Sequence, residues 1–325
     1  MTTTDFTAQG KVTSVIDYTY GVNKPNTVVK TTANSSNSNV TTTTTLRYPW
    51  DFTTPIAQAM VGQNIISTPL ENETKINSSI TLERNTFTNA QAITSGLLLL
   101  NKKELLINGL LSNQVQVTKF DTYGNPTQTV NQSGTINSYI WGYNGQYPVA
   151  EVINATYNDI AFTGFEEGDS GTWTWTGQVV KGNSNSYDGD NFLGLSSGQS
   201  ISKAGLTASK KYRVSVWLWG STPPTGYVAR ATIGNWTNYE KIVTGLTTFT
   251  LTYDESINGM VDNISICPLD AMMTTYTYKP FVGMTTKTDP RGFTEYYEYD
   301  SSGRLNLIKD FNGHILKDFR YHYKP

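Results

Sequence analysis

One cysteine, Cys267, occurs in 325 residues, so no internal disulfide framework can form. A lone thiol leaves the redox compartment open, and its expected place is buried, where cysteine behaves as a small hydrophobe. Charge is scarce as well: charged residues make up 15% of the chain and the formal net charge is -2. No basic footprint for nucleic acid or for an anionic membrane surface is present. Recognition then falls to shape, aromatic rings and neutral polar groups. The two histidines, His314 and His322, have neither a metal-ligand spacing nor a nucleophile motif around them.

Long apolar runs are missing too. The most apolar stretch, 97–111, is interrupted by Lys102, Lys103 and Glu104. It falls short of the roughly 20 apolar residues that span a bilayer, so no membrane insertion is expected and the stretch reads as a pair of buried strands. The opening MTTTDFTAQG lacks the basic and apolar regions of a signal peptide. Either the protein is cytoplasmic or the chain is an internal piece of something larger, and the expectation is a fragment.

What is abundant is threonine, asparagine, serine, tyrosine and glycine, a mixture that favours strands joined by frequent turns and predicts an all-β protein. VTSVIDYTY, the turn GVNKPN and TVVKTT predict a hairpin, followed by the polar connector ANSSNSN. One short helix is expected near 55–63, where Thr54 can cap, Pro55 can open the first turn, and Ile56, Ala59, Met60 and Gln63 keep helical spacing. Strands are expected at 79–87, 97–100, 104–107 and 114–120.

A repeat then emerges. Asp121/Gly124, Asp289/Gly292, Asp300/Gly303 and Asp310/Gly313 all spell Asp-x-x-Gly, and Asn131/Gly134 is the same pattern with asparagine. A turn tolerates that exchange, because both side chains bond the backbone two residues on. Tyrosine-rich strands precede several copies, as in YYEYDSSGRLNLIKDFNGH, and the expectation is a hairpin turn with an aromatic cross-strand ladder. Between Gly134 and Asp289 the rhythm vanishes. WTWTGQVV, DNFLGLSS, YRVSVWLWG, YVARATIG, TTFTLTYD and MVDNISI suit the strands of an inserted sandwich of jelly-roll type. The expected division is 1–160, 161–268 and 269–325.

The repeats, with TDPRGF and KFDTYGNPTQ, resemble the YD repeats of Rhs proteins, and RYPWDF, YIWGYNGQYPVAEVINATY and TTYTYKPFVGMTTKTDPRG are similar to the Rhs-type cell-surface proteins of the Bacteroidota. The resemblance implies hairpin sheets that wind, in full-length members, into a shell around a C-terminal cargo, and a secreted or cell-surface setting. It also draws attention to Asp289-Pro290-Arg291-Gly292, since Rhs shells cleave themselves at DPxG motifs. That chemistry needs a second carboxylate, and no second DPxG follows, so no proteolysis is expected.

The insert, with GFE, DGDNFL, YRVSVWL and VDNISI, resembles a carbohydrate-binding-module-like, galactose-binding-type jelly roll. In YRVSVWLWG, Tyr212, Val214, Val216 and Leu218 share one face, leaving Arg213, Ser215, Trp217 and Trp219 on the other. Only one face of a sandwich strand meets the core, so the two outer tryptophans need either a glycan stacked on them or a neighbouring repeat sheet. Trp236 and Tyr239 are expected to complete a sugar platform from an adjacent loop. By the same resemblance, Glu166, Asp188, Asp190 and Asp262 are the positions for a structural calcium. Glu166 and Glu167 with Asp262 could be imagined as a glycosidase pair, but nothing fixes their separation. The expected role is structural and adhesive, with carbohydrate and further YD repeats of the same polypeptide as partners. The alternatives, in order, are a carbohydrate-binding adhesin module proper, part of a toxin-encapsulating shell, and a polysaccharide-active enzyme.

Overall fold

The computed structural model describes residues 2–7, 10–20, 27–34, 41–89, 96–166, 168, 170–220, 222–253 and 259–321; before residue 42 it describes side chains at 17–20 alone. The expected turn at 21–26, the connector at 35–40, Glu167 and His322 lie outside the described residues. Strands hold 56% of the chain and helix 5%, so the protein is all-β, as its composition indicates. It divides into two compact units, Met1–Gly134 and Thr135–Pro325.

In the first unit β1 (Thr2–Thr7), β2 (Gly10–Tyr20), β3 (Thr27–Asn34), β4 (Thr41–Arg47), β5 (Glu71–Ile76), β6 (Ser79–Asn89), β7 (Leu98–Ile107), β8 (Leu110–Phe120) and β9 (Pro126–Asn131) form a meander, each antiparallel to the next. The helix α1 (Pro55–Gly62) lies between β4 and β5 in the chain; Thr54 Oγ1 accepts the Ala57 N–H at 3.3 Å, and Ala57 and Met60 are buried. The apolar stretch departs from expectation. It is one strand, β7, that turns at Asn108-Gly109 into β8, and Leu97, Leu100, Leu110 and Leu111 are exposed. Asn108 and Gly109 have φ of 50° and 80°, the conformation of a mirror-image hairpin turn.

The second unit starts with β10 (Ile136–Gly142) and β11 (Tyr147–Ile153). Ten strands of the inserted module follow: β12 (Ala161–Thr163), β13 (Thr174–Trp175), β14 (Gln178–Val180), β15 (Phe192–Gly194), β16 (Ser200–Ala204), β17 (Lys211–Trp219), β18 (Val228–Ile233), β19 (Trp236–Thr244), β20 (Thr248–Thr252) and β21 (Met260–Pro268). The chain then resumes with β22 (Met272–Lys279), β23 (Gly283–Thr288), β24 (Thr294–Tyr299), β25 (Leu305–Lys309) and β26 (Ile315–Asp318). β11 pairs directly with β22, placing Ile153 opposite Met272, so the module is looped out from between two neighbouring strands.

Within the module β14, β15, β21, β17, β19 and β18 form one sheet in that order, with β12 on β21, while β13, β16 and β20 form a second. The two pack around a single core containing Val214, Val216, Leu218, Tyr239, Ile264 and Ile266 from the larger sheet and Ile201, Phe249 and Leu251 from the smaller. A second cluster joins Ile140, Val149, Ala150 and Val152 of β10 and β11 to Ile160, Phe162 and Cys267, so the module's first and last strands are rooted on the repeat sheet. Asp159 fixes this root. It is 1% exposed and accepts from Thr207 N (3.0 Å), the Tyr212 hydroxyl (2.5 Å), Thr156 Oγ1 (2.7 Å) and Lys210 Nζ (2.7 Å). Burial alone would raise its pKa; these donors reverse that and hold the carboxyl well below the usual carboxylate range.

Candidate functional site

The Asp-x-x-Gly copies share one geometry. In each, one aspartate oxygen accepts two backbone N–H groups, two and four residues on: Tyr123 and Asn125 for Asp121, Arg291 and Phe293 for Asp289, Ser302 and Arg304 for Asp300, Asn312 and His314 for Asp310, all at 2.8–3.0 Å. The glycines at 124, 292, 303 and 313 have φ between 73° and 90°. The second oxygen takes a side chain, as in Arg291 and Arg304 at 2.8 Å. Asn131 accepts the Ser133 hydroxyl at 2.7 Å, and Gly134 keeps a φ of 83°. Each acid is thus occupied in closing a hairpin, and His314 belongs to one such turn, 3.2 Å from Asp310.

On β17 the alternation legible in YRVSVWLWG is present: Tyr212, Val214, Val216 and Leu218 are fully buried, and Arg213, Ser215, Trp217 and Trp219 are half-buried on the other face. The structure brings Trp217, Trp219 and Trp236 together with Tyr187 in one aromatic cluster, in which Trp236 is buried and Trp217 and Trp219 are half-buried. Tyr187 stacks flat on Trp217 with ring centroids 3.7 Å apart, and Trp219 meets Trp236 edge-on at 5.6 Å. Trp236 is 4% exposed and its indole donates to the Asn185 carbonyl at 2.8 Å. Tyr239 is 3% exposed in the sandwich core. The expected platform therefore does not exist as drawn. Trp236 and Tyr239 lie on a strand, β19, where a spacing of three puts side chains on opposite faces.

The loop that supplies Tyr187 is held by the carboxylates expected to bind calcium. Asp262 Oδ2 accepts the N–H groups of Tyr187 (2.9 Å) and Asp188 (3.4 Å), and its Oδ1 that of Asn263 (2.7 Å). Glu166 Oε1 accepts from Asp190 N (2.9 Å) and Asn191 N (3.2 Å), and Oε2 from Asn191 Nδ2 (3.3 Å). Asp188 Oδ2 takes the hydroxyls of Thr277 on β22 and Thr286 on β23, each at 2.7 Å. These oxygens face N–H and O–H donors, whose positive ends repel a cation, and Asp190 takes part through its backbone. Among the described residues no group of three or more His, Cys, Asp or Glu gathers to hold a metal ion. As arranged, the set fits a loop anchor and not a calcium site.

Electrostatics follow from this packing. Burial pushes the Glu166 carboxyl up to about 7, helped by Asp190 and Asp188 and opposed by the two amides. Asp262 is pushed well above the carboxylate range by burial and by Asp188. Burial likewise moves the Cys267 thiol to about 11, which keeps it protonated and unreactive near neutrality. Sequence reasoning did not anticipate Tyr187 or the pairing of Asp188 with two threonines, since neither leaves a spacing signal.

Beside Trp217 the outer face of the module opens into a cleft of about 860 Å³, roofed by the turn at Asp289. A second hollow, about 650 Å³, lies between Asp188 and the tyrosines 296 and 297 of β24. Among the described residues no helix is long and apolar enough to cross a membrane. No protein-family model matches the chain, and no curated protein matches it significantly.

Proposed function

We propose that the chain is a non-catalytic scaffold: a piece of a large Rhs/YD-repeat surface or secreted protein whose hairpin sheet carries a docked jelly-roll module. The observation that carries the reading is the clasp made by Tyr187 and Asp188. One loop stacks on Trp217 of its own module and, through two short hydroxyl bonds, grips adjacent strands of the repeat sheet. Groups that could do chemistry are used for holding: the repeat aspartates close turns, Glu166 and Asp262 anchor the loop, and Cys267 is buried.

A sheet of repeats with a module fixed to it displays a surface and does not need to open. The experiment is a double substitution, Tyr187→Ala with Asp188→Ala, followed by calorimetric melting. The second unit of the parent is expected to melt in one transition that includes the module, and the variant to split it in two as the module loses its grip on the sheet. A single transition with an unchanged midpoint in the variant would show that the clasp does not couple them.

A further inference from the structure

We infer that β18 is a docking edge for an extended acidic peptide, which adds to the module's larger sheet as a further strand and turns a carboxylate into the cleft beside Trp217. β18 ends the strand order of that sheet, paired with β19 on one side and with no strand on the other among the described residues. All six of its residues, Val228–Ile233, are exposed. Exposure of every residue in turn, rather than of alternate ones, means that the strand's flank is bare as well as its faces. An edge strand spends only half of its main-chain groups on its neighbour. No turn or loop hydrogen bond between main-chain groups takes the other half among the described residues. Those N–H and C=O groups are what an extended peptide pairs with when it joins a sheet.

The side chains indicate the chemistry of the partner. Val228, Arg230 and Ile233 line the cleft of about 860 Å³, and Val228 and Ile233 are 57% and 42% exposed. Arg230 is the extra residue of a bulge between Ala229 and Ala231, and it leans onto the cleft face, where its Nε donates to Glu240 at 2.6 Å. That bond uses one of the five donors of the guanidinium, and the rest of its fork is open to a second carboxylate. The cleft as a whole holds four cations, Arg213, Arg230, Lys241 and Arg291, against two acids, Glu240 and Asp289, in a chain whose net charge is -2. Arg213 and Lys241 donate to the carbonyls of Pro290 (3.4 Å) and Thr225 (3.2 Å), and neither meets a carboxylate among the described residues. A local surplus of positive charge favours an acidic guest. The same arginine discourages a second copy of the chain, because two β18 strands paired about their middles would set their arginines side by side. The complementary strand is apolar, acidic and apolar at every second residue, with β-branched side chains against Val228 and Ile233.

This inference goes beyond the scaffold reading and does not depend on it. The probe is the end-capped peptide Thr-Val-Thr-Glu-Thr-Val-Thr, which reads the same in both directions and so suits either orientation of the added strand. The full chain is titrated with it by calorimetry, and amide hydrogen exchange is compared with and without peptide. Saturable binding is expected, with new protection centred on β18. A counterpart with lysine in place of glutamate is expected to bind at least tenfold more weakly. The fully N-methylated peptide, which keeps the side chains and loses every N–H, is expected not to bind. Arg230→Gln is expected to weaken the acidic peptide about threefold, the scale of one exposed ion pair. No binding, binding without protection of β18, or equal binding by the N-methylated or lysine peptide overturns the proposal. Protection of β18 that rises with protein concentration alone would give the edge to a second copy, and overturns it too. Melting of the second unit in one transition is read separately, so a failed peptide site leaves the scaffold reading standing.

Discussion

Asp300 and Gly303 divide the work of a repeat turn unequally. The aspartate accepts two N–H groups from the turn residues Ser302 and Arg304, at 2.9 and 3.0 Å, and Asn131 shows that an amide can take the acid's place in the sequence. The glycine has no such stand-in, since its φ of 73° is strained for any residue with a Cβ, although nothing lies within 4 Å of where that carbon would be. Gly303→Ala is therefore expected to cost backbone strain alone, about 1 kcal/mol. A melting scan of the second unit should show a fall of roughly 2–4 °C; no change would mean that the turn is not fixed by this φ. Glu166 gives a different signature. In the unfolded chain it titrates near 4.5, and in the fold at about 7, so between those values the folded state holds the extra proton. Stability should fall as pH rises through that window. Asp262, also raised, acts in the same sense, whereas Asp159, held low, loses its contribution only on acidification below the usual carboxylate range. Midpoints at pH 5 are expected to exceed those at pH 8, with a shallower slope in Glu166→Gln; an identical slope in the variant would assign the dependence elsewhere.

At the scale of elements, sequence reasoning succeeds where one side of a strand is dry and the other wet. β17 announces itself because Tyr212, Val214, Val216 and Leu218 fall at every second position over the core, and α1 because Thr54 and Pro55 mark its start by chemistry. β7 misleads for the opposite reason. Its leucines are half in solvent, so Lys102 and Lys103 interrupt the hydropathy without interrupting the strand. The punctuation of this stretch is Asn108-Gly109, a pair suited to left-handed φ at both positions, whereas the charged residues lie inside the strand. β19 shows a third case. GNWTNYEK carries turn-forming residues on both sides of its aromatics and reads as a loop, yet pairing with β17 and β18 on either side draws it into the sheet. The candidate sugar platform failed with that register. Arg213 was placed on the correct face of β17.

For the whole molecule, the rhythm that stops at Gly134 and resumes at Asp289 brackets the stretch in which β12 to β21 form sheets of their own. The exact partners across it were not legible, because β11 and β22 lie far apart in sequence and neither strand names the other. Their register makes a prediction. Ile153 already faces Met272 as the last residues of a hairpin would, so replacing 154–271 by Asn-Gly should leave a paired sheet. Circular dichroism is expected to keep a β spectrum while the melting midpoint drops, since Ile140, Val149 and Val152 lose the cover of Ile160, Phe162 and Cys267. A random-coil spectrum would show that the sheet depends on its insert to form at all.

The same closure has a mechanical side. A tension carried along the chain on either side of the insert arrives at β11 and leaves from β22, which are cross-linked to each other by four residue pairs from Ala150–Thr275 to Ile153–Met272. The load passes across that ladder and bypasses the sandwich, whose own strands feel no pull until the ladder has been peeled open from its Ala150–Thr275 end. A module rooted in this way sits in parallel with the load-bearing sheet, shielded from the force that its carrier transmits.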